Sequence, residues 1–321
     1  MRRKRPGKLK GNTLNVTEKI HKSLQITSLV GISFSILISI VVRKIINSDN
    51  EKVLTFLEIG KFGRLGNQMF QVASTIGIAL DNNFSWAFPQ HIEDSDVGRI
   101  FNIRGGKDFH GKISKIVESN QIYHQVKLPK SPHSVISLHG YYQSFLFFDH
   151  HKSTLKKVFK PNQLMIQRIL SKYPGIMMSG SVSIHVRRGD YISKVNQGIY
   201  TRIKINYFET ALKMIAGVKR VFVVSDDIIW CRKNLKHLPY DISFTNGTDI
   251  LEDFFVMALS HSLIISNSSF GWWAAYLKQL HYNNGSVIAP KPWYNEDGQL
   301  GYLNKNAPYF YLKHWILVDA R

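Results

Sequence analysis

From residue 53 onward, short apolar runs alternate with amphipathic stretches, and polar clusters fall at the breaks between them. Val53 to Ile59 is a strand-length apolar run that ends in Gly60-Lys61-Phe62-Gly63-Arg64-Leu65-Gly66-Asn67-Gln68. An amphipathic run from Met69 to Leu80 follows, so the opening predicts a strand, a glycine-rich turn and a helix, in the manner of a Rossmann-like unit. The glycine spacing is not Gly-x-Gly-x-x-Gly, so the dinucleotide fingerprint is absent. Residues 81–140 show no regular period, with loops at Pro89, Gly105-Gly106 and Pro129 to Pro132, and Asp94-Ser95-Asp96 reads as a loop. Gly140 to Phe148 is an aromatic cluster that reads first as core. Leu164 to Lys172 predicts a helix, and Pro174-Gly175 marks a boundary between domains 53–175 and 176–321.

Beyond that break the alternation is clear. Strands are predicted at Val182 to Val186, Arg220 to Val224, Ser262 to Ile265 and Val287 to Ala289. Helices are predicted near Tyr207 to Ile215, Ile228 to Leu235, Ile250 to Ser260 and Phe270 to Leu280. Strands that alternate with helices imply a parallel sheet with crossovers.

Three of these strands end in polar groups: His185-Val186-Arg187-Arg188-Gly189-Asp190, Ser225-Asp226-Asp227 and Ser266-Asn267-Ser268-Ser269. In a parallel sheet their carboxyl ends share one edge, where open α/β sheets bind ligands. Two arginines at the end of a core strand call for an anionic partner, and the guanidinium fork suits phosphate oxygens. Neighbours on a strand point to opposite faces, so at most one of Arg187 and Arg188 enters a pocket directly, while the other braces the loop or pairs with Asp190. Ser268 and Ser269 precede a helix and either cap it or donate to phosphate. Asp226 or Asp227 either accepts hydrogen bonds from a base with adjacent N–H donors, as guanine has, or binds a metal, for which too few carboxylates are nearby.

Composition narrows the partners. The chain has 321 residues and a net charge of +20, which raises nucleic acid or a membrane surface as candidates. Residues 1–47 hold ten of the 42 Lys/Arg against one acid, and the remainder still carries 32 against 21, so the folded part is basic as well, as suits a binder of phosphorylated donors or acidic surfaces. The remaining basic residues are scattered, and a single cysteine, Cys231, excludes zinc-finger patterns and intrachain disulfides, so no nucleic-acid partner is expected. Leu24 to Val42 carries no charge over 19 residues, a helix of roughly 28 Å, close to a bilayer core. Eight Lys/Arg precede it, so the expectation is a cytoplasmic tail (1–23), an uncleaved signal anchor (24–42), a short stem (43–52) and a lumenal remainder. N-glycosylation sequons at Asn83, Asn246, Asn267 and Asn284 then face the secretory lumen. Asn246 and Asn284 are the expected acceptors, whereas Asn267 lies in the phosphate-site candidate and is expected to be bare.

Four segments in order, Gly-Arg-Leu-Gly-Asn-Gln-Met-Phe-Gln (63–71), His-Val-Arg-Arg-Gly-Asp-Tyr (185–191), Ser-Asp-Asp (225–227) and Ser-Asn-Ser-Ser-Phe-Gly-Trp-Trp (266–273), closely resemble the α-1,2-fucosyltransferase family of inverting glycosyltransferases. The resemblance spans roughly residues 55–295 and extends to Tyr141 to Phe148 and Ala289-Pro290-Lys291. Phe270-Gly271-Trp272-Trp273 departs from relatives that often have serine between the aromatics. The resemblance implies a GT-B-like α/β fold of two Rossmann-like domains facing a cleft, GDP-β-L-fucose as donor, no required metal or other cofactor, a β-galactoside or similar glycan as acceptor, and a Golgi type II membrane setting. Other linkages or acceptors, or an inactive glycan-binding protein, are the alternatives.

By the same resemblance Arg187 holds the β-phosphate with support from Arg188, and Asn67 lies across the cleft beside Gly63 and Gly66. His185 and Asp226 address the nucleoside, Asp190 borders the donor, and Ser268 or Ser269 donates to phosphate. His139 and Asp190 are the candidates for a general base.

Overall fold

The computed structural model describes residues 52–321 apart from 107–108, 110–111 and 130–134. The expected tail, anchor and stem therefore lie almost wholly outside the described residues. Among those described, no helix is long and apolar enough to cross a membrane.

Among the described residues, ten strands form two parallel sheets. The first has the order β2-β1-β4-β3, from β1 (Val53–Thr55), β2 (Ser85–Trp86), β3 (Ser114–Val117) and β4 (Val135–His139). The second has the order β10-β9-β8-β5-β6-β7, from β5 (Ser181–Val186), β6 (Arg220–Ser225), β7 (Asp241–Phe244), β8 (Ser262–Ile264), β9 (Val287–Lys291) and β10 (Ile316–Asp319). Strand β5 pairs with β6 along its whole length, Ser181 opposite Arg220 to Val186 opposite Ser225, and with β8 on its other side. All six residues of β5 are buried, so the polar positions of its Ser-Val-Ser-Ile-His-Val alternation face protein rather than solvent, with Ser181 Oγ donating to Ile176 O at 2.6 Å and Ser183 Oγ to Val256 O at 3.1 Å.

The helices are α1 (Leu65–Asp81), α2 (Asp96–Phe101), α3 (Lys152–Val158), α4 (Gln163–Lys172), α5 (Lys194–Gln197), α6 (Ile205–Lys213), α7 (Ile228–Leu235), α8 (Ile250–Leu259) and α9 (Ser269–His281). Two expectations are corrected here. Asp94-Ser95-Asp96 is no loop: Ser95 caps α2, its Oγ accepting from Gly98 N at 3.1 Å, and Asp96 pairs with Arg99 at 3.0 Å. Helix α1 starts at Leu65 rather than Met69, so Gly66 and Asn67 lie in its first turn and not in the preceding loop. The chain can begin the helix there because Gly63, at φ +86°, takes the left-handed turn just before the cap residue Arg64, which a side-chain-bearing residue resists.

Helices α1 and α9 carry the aromatic centre of the core. Phe70 meets Trp272 at 4.6 Å and Trp273 at 5.2 Å, Phe148 stacks on Trp273 at 5.4 Å, and Trp272 stacks on Tyr276 at 5.3 Å. Each such pair contributes about 0.5–1.5 kcal/mol beyond the area it buries. The Gly140 to Phe148 cluster divides accordingly: Tyr142, Phe147 and Phe148 are core, while Gln143 faces a cavity. Helix α1 comes from the stretch that follows β1 and α9 from the stretch that follows β8, so this packing joins the two sheets within one compact unit, Lys52–Arg321.

Candidate active site

In the second sheet the chain runs from β5 outward to β6 and β7, then returns to β8 and continues to β9 and β10 on the other side. The strand order therefore reverses between β5 and β8, and a crevice opens beyond their carboxyl ends. Residues after β5, β6 and β8 meet residues after β1 and β4 around one cavity of about 390 Å³, within the range of small-molecule sites.

Arg187 leaves the end of β5 half-buried. Its Nη1 lies 2.7 Å from Asp226 Oδ2, its Nη2 pairs with Asp190, and its guanidinium carbon sits 5.2 Å from the centre of the Tyr191 ring. Its backbone N donates to Ser266 Oγ at 3.1 Å, and that hydroxyl donates to His185 O at 2.6 Å, which ties the ends of β5 and β8 together. Arg188 points away from the cavity. Its Nε meets Asp227 Oδ2 at 3.1 Å, its guanidinium stacks 4.0 Å from the Trp230 ring centre, and its backbone N donates to Asp226 Oδ1 at 2.8 Å. The partner of Asp190 is therefore Arg187, together with Arg64 at 3.2 Å, and not Arg188. The physical reason is strand geometry, which sends the two arginines to opposite faces.

The first turns of two helices converge on the same cavity. Ser268 caps α9, its Oγ accepting from Phe270 N at 3.3 Å, and Ser269 Oγ donates to Asn67 Oδ1 at 2.7 Å. Gln143 Nε2 donates to the same Asn67 oxygen at 2.7 Å. A side chain on Gly66 would place its Cβ 2.5 Å from the backbone carbon of Ser269, so the helices approach as closely as they do because residue 66 is glycine. Helix N-termini carry partial positive charge and unpaired N–H groups, so the pair with Arg187 forms a cradle for an anion.

His185 lines the cavity from the last turn of β5 and is 4 % exposed. Burial, helped by the Arg187 charge, pushes its pKa down to about 3, so the imidazole is neutral at physiological pH. Its Nδ1 is buried without a hydrogen-bond partner. Asp226 lies on the same side of the cavity, beside Ser225 and Gly247.

Two groups of cavity residues escaped the sequence reading. Asp253, on α8, lines the wall near Val224, Gly247 and Thr248. Burial pushes its carboxyl up to about 6, against a Thr245 hydroxyl that favours the charged form and with the carboxylates of Glu252, Asp249 and Asp226 adding to the push, and its Oδ1 has no partner. Tyr191, Tyr200 and Tyr294 form a stacked wall, with ring centres 4.2 Å and 5.8 Å apart. Asn267 clamps that wall from beneath, its buried amide donating to Thr201 O at 2.9 Å and Trp293 O at 2.8 Å.

The base candidates differ in placement. Asp190 borders the cavity with one oxygen on Arg187 and the other on Arg64. His139, at the end of β4, pairs through Nδ1 with Glu58, which Lys115 also reaches at 3.1 Å, and it is not among the residues around the cavity. Among the sequons, Asn246 and Asn83 are exposed, Asn284 accepts from Lys278 Nζ at 2.9 Å, and Asn267 is 1 % exposed.

The model of one protein family, Glycosyl transferase family 11, matches residues 111–319. The chain is similar to an alpha-1,2-colitosyltransferase of Escherichia coli, 33% identical over 73% of this chain and 91% of the relative. It is also similar to galactoside 2-alpha-L-fucosyltransferase Sec1 of Mus musculus, 30% identical over 67% of this chain and 62% of the relative. Among solved structures, POFUT1 in complex with GDP-fucose matches 75% of this chain and 98% of its own with a TM-score of 0.50 at 11% identity, a likeness of GT-B-like α/β fold alone.

Proposed function

The chain belongs to glycosyl transferase family 11 and is a glycosyltransferase, and from that premise we propose that it transfers L-fucose from GDP-β-L-fucose to the 2-hydroxyl of a terminal β-galactoside, with inversion. The observation that carries this reading is the convergence of Arg187 with the first turns of α1 and α9 on one cavity. A nucleoside diphosphate places its negative charge in that cradle. Guanine, with adjacent N1–H and exocyclic N–H donors, suits the Asp253 carboxylate, whose Oδ1 has no partner, at the wall beyond Asp226, and the neutral His185 offers a further acceptor.

In this reading the acceptor oxygen attacks the anomeric carbon from the face opposite GDP. The new C–O bond forms as the bond to the β-phosphate oxygen breaks, which turns a β-donor into an α-product. Negative charge grows on the leaving phosphate, and Arg187, the Ser268–Ser269 turn and Asn67 stand where they stabilise it. Asp226 holds the guanidinium in place, while the exposed Asp190 exchanges with the arriving phosphate. Arg188, pinned on Asp227 and Trp230, positions the loop rather than touching the donor. The tyrosine wall offers flat faces for a sugar ring. A Golgi type II setting goes with this reading and rests on the charge-free run at residues 24–42.

A second reading keeps the site and reaction but transfers colitose, since the colitosyltransferase shares 33% identity with this chain against 30% for the mouse fucosyltransferase. The deciding experiment offers the purified protein GDP-fucose and GDP-colitose with a panel of β-galactosides, and reads GDP release and the anomeric configuration of the product by NMR. An α-1,2-fucosylated galactoside supports the first reading, and turnover confined to GDP-colitose supports the second. Failure to bind any GDP-sugar removes both.

A further inference from the structure

Asp81 is the last residue of α1, where the helix dipole disfavours a carboxylate. Two imidazoles converge on it from the turn Asp149–His151. His150 Nε2 lies 2.8 Å and His151 Nε2 2.7 Å from the same oxygen, Asp81 Oδ1. The rings stand 4.2 Å apart at 46°, and the potential ligand atoms of all three residues lie within 4.8 Å of one another. The turn is itself held, because Asp149 Oδ1 accepts from the buried Tyr276 hydroxyl at 3.1 Å and Asp149 Oδ2 meets Lys152 Nζ at 3.2 Å.

We propose that Asp81, His150 and His151 form a binding site for a divalent transition metal, with zinc the best fit. Two imidazole nitrogens and one carboxylate oxygen suit zinc, whereas magnesium and calcium take oxygen ligands. Zinc holds such ligands at about 2.0–2.2 Å, which puts them roughly 3.3 Å apart in a tetrahedral shell, so the two contacts to Asp81, now 2.8 and 2.7 Å, open by roughly half an ångström to admit the ion. The side chains are 32 % (Asp81), 50 % (His150) and 24 % (His151) exposed, which leaves an ion an entry path and room for a water as fourth ligand. In the metal-free protein both Nε2 atoms donate to Asp81. On binding, each ring carries its proton on Nδ1 and turns the Nε2 lone pair to the metal. None of the three residues lines the active-site cavity. The ion therefore acts as a staple between the end of α1 and the turn before α3.

The test uses the full-length chain, stripped with chelator and dialysed, and titrates it with Zn²⁺ by calorimetry and with Co²⁺ by visible absorption. One equivalent of Zn²⁺ is expected, with a Co²⁺ spectrum typical of low coordination number and a thermal midpoint that rises with Zn²⁺. His150→Gln and His151→Gln keep an N–H donor for Asp81 but remove a ligand. Each is expected to match the wild-type midpoint without metal, to lose the metal-induced rise, and to bind at least about 10-fold more weakly. No stoichiometric binding by the wild type, or equal binding by the variants, overturns the proposal. Should either variant fold poorly, Asp81→Asn supplies the same comparison at the third ligand.

Discussion

Asp226 serves Arg187 and its neighbour at once: Oδ2 holds the Arg187 guanidinium at 2.7 Å while Oδ1 accepts the backbone N–H of Arg188 at 2.8 Å. One carboxylate at the end of β6 thus orients the cation and the turn that carries it at the end of β5. This differs from the contact with Asp190, which is made from an exposed turn after the strand.

Arg187→Ala should lower kcat by about 10²- to 10³-fold, because a preorganised charge on the leaving phosphate is lost. Arg187→Lys should rescue little, since an ammonium cannot reproduce the fork that meets both Asp226 and phosphate. Asp226→Asn should lower kcat more than Asp190→Asn, because Asp226 also fixes the loop backbone. Steady-state kinetics on the four variants check this, and equal losses at Asp226 and Asp190 would contradict the division of roles.

The link between Asn67 and Ser269 joins the first turns of α1 and α9 directly at the cavity. Asn67→Ala should cost about 10²-fold in kcat if the amide faces charge that develops on the donor, and Ser269→Ala should cost less because Gln143 still holds Asn67. Gly66→Ala should destabilise the protein by about 1–3 kcal/mol, since the new Cβ meets Ser269 backbone and neither helix end can yield freely. A thermal midpoint equal to wild type for Gly66→Ala would show that the helices do not approach this closely.

Much of this site is legible along the chain because parallel, buried strands leave a plain signature. β5 is a β-branched alternation and β6 and β8 are short apolar runs, all three break abruptly into polar clusters, and parallel pairing puts those breaks at one edge. What stayed hidden is polar residues inside elements and pairings distant in sequence. Asp253 follows Glu252 in the first turn of α8, where acidic residues are favoured on any helix, so nothing marks it as facing a cavity. Tyr200 and Tyr294 meet through a lone antiparallel bridge between loops, which no local period announces. Strands β2, β3 and β7 leave little signal because they are short and at most half-buried, β10 because its few residues carry little alternation, and β4 because its five residues directly follow the irregular stretch around Pro129 to Pro132. His150 and His151 find Asp81 only after α1 has run its full length.

Donor affinity should depend on pH through Asp253. With its carboxyl pushed up to about 6, the charged form that guanine requires is complete only above that value, so donor binding should weaken as pH falls through 6. The free protein should respond in the opposite sense. Its folded state binds a proton at Asp253 that the unfolded chain releases near the ordinary 3.8, so this residue's contribution to stability is lost as pH rises from about 4 through 6. Asp253→Asn should therefore weaken donor binding at pH 7.5 while raising the thermal midpoint there. Calorimetric donor binding and thermal melts at several pH values check both signs, and an unchanged pH profile in the variant would remove Asp253 from the site.

Asn267 tests how far a sequon can be overruled by structure. Its amide donates two buried hydrogen bonds, to Thr201 O and Trp293 O, and so holds the backbone on both sides of the tyrosine wall. A glycan on that nitrogen would have to displace one of these bonds and find space where the residue is 1 % exposed. Expressed through a secretory pathway, the active protein should carry glycan at the exposed Asn246 and none at Asn267. Asn267→Ala leaves Thr201 O unpaired, at about 1–3 kcal/mol for a buried group left unsatisfied, leaves Trp293 O only the Thr201 N–H at 3.4 Å, and loosens Tyr200 against Tyr294. It should therefore raise KM for the sugar substrates and lower the thermal midpoint of the protein. Glycopeptide mass spectrometry and kinetics on this variant read the two consequences separately. A glycan on Asn267 in catalytically active protein would mean that the loop after β8 stands open, and the anion cradle built on Ser268 and Ser269 would have to be redrawn.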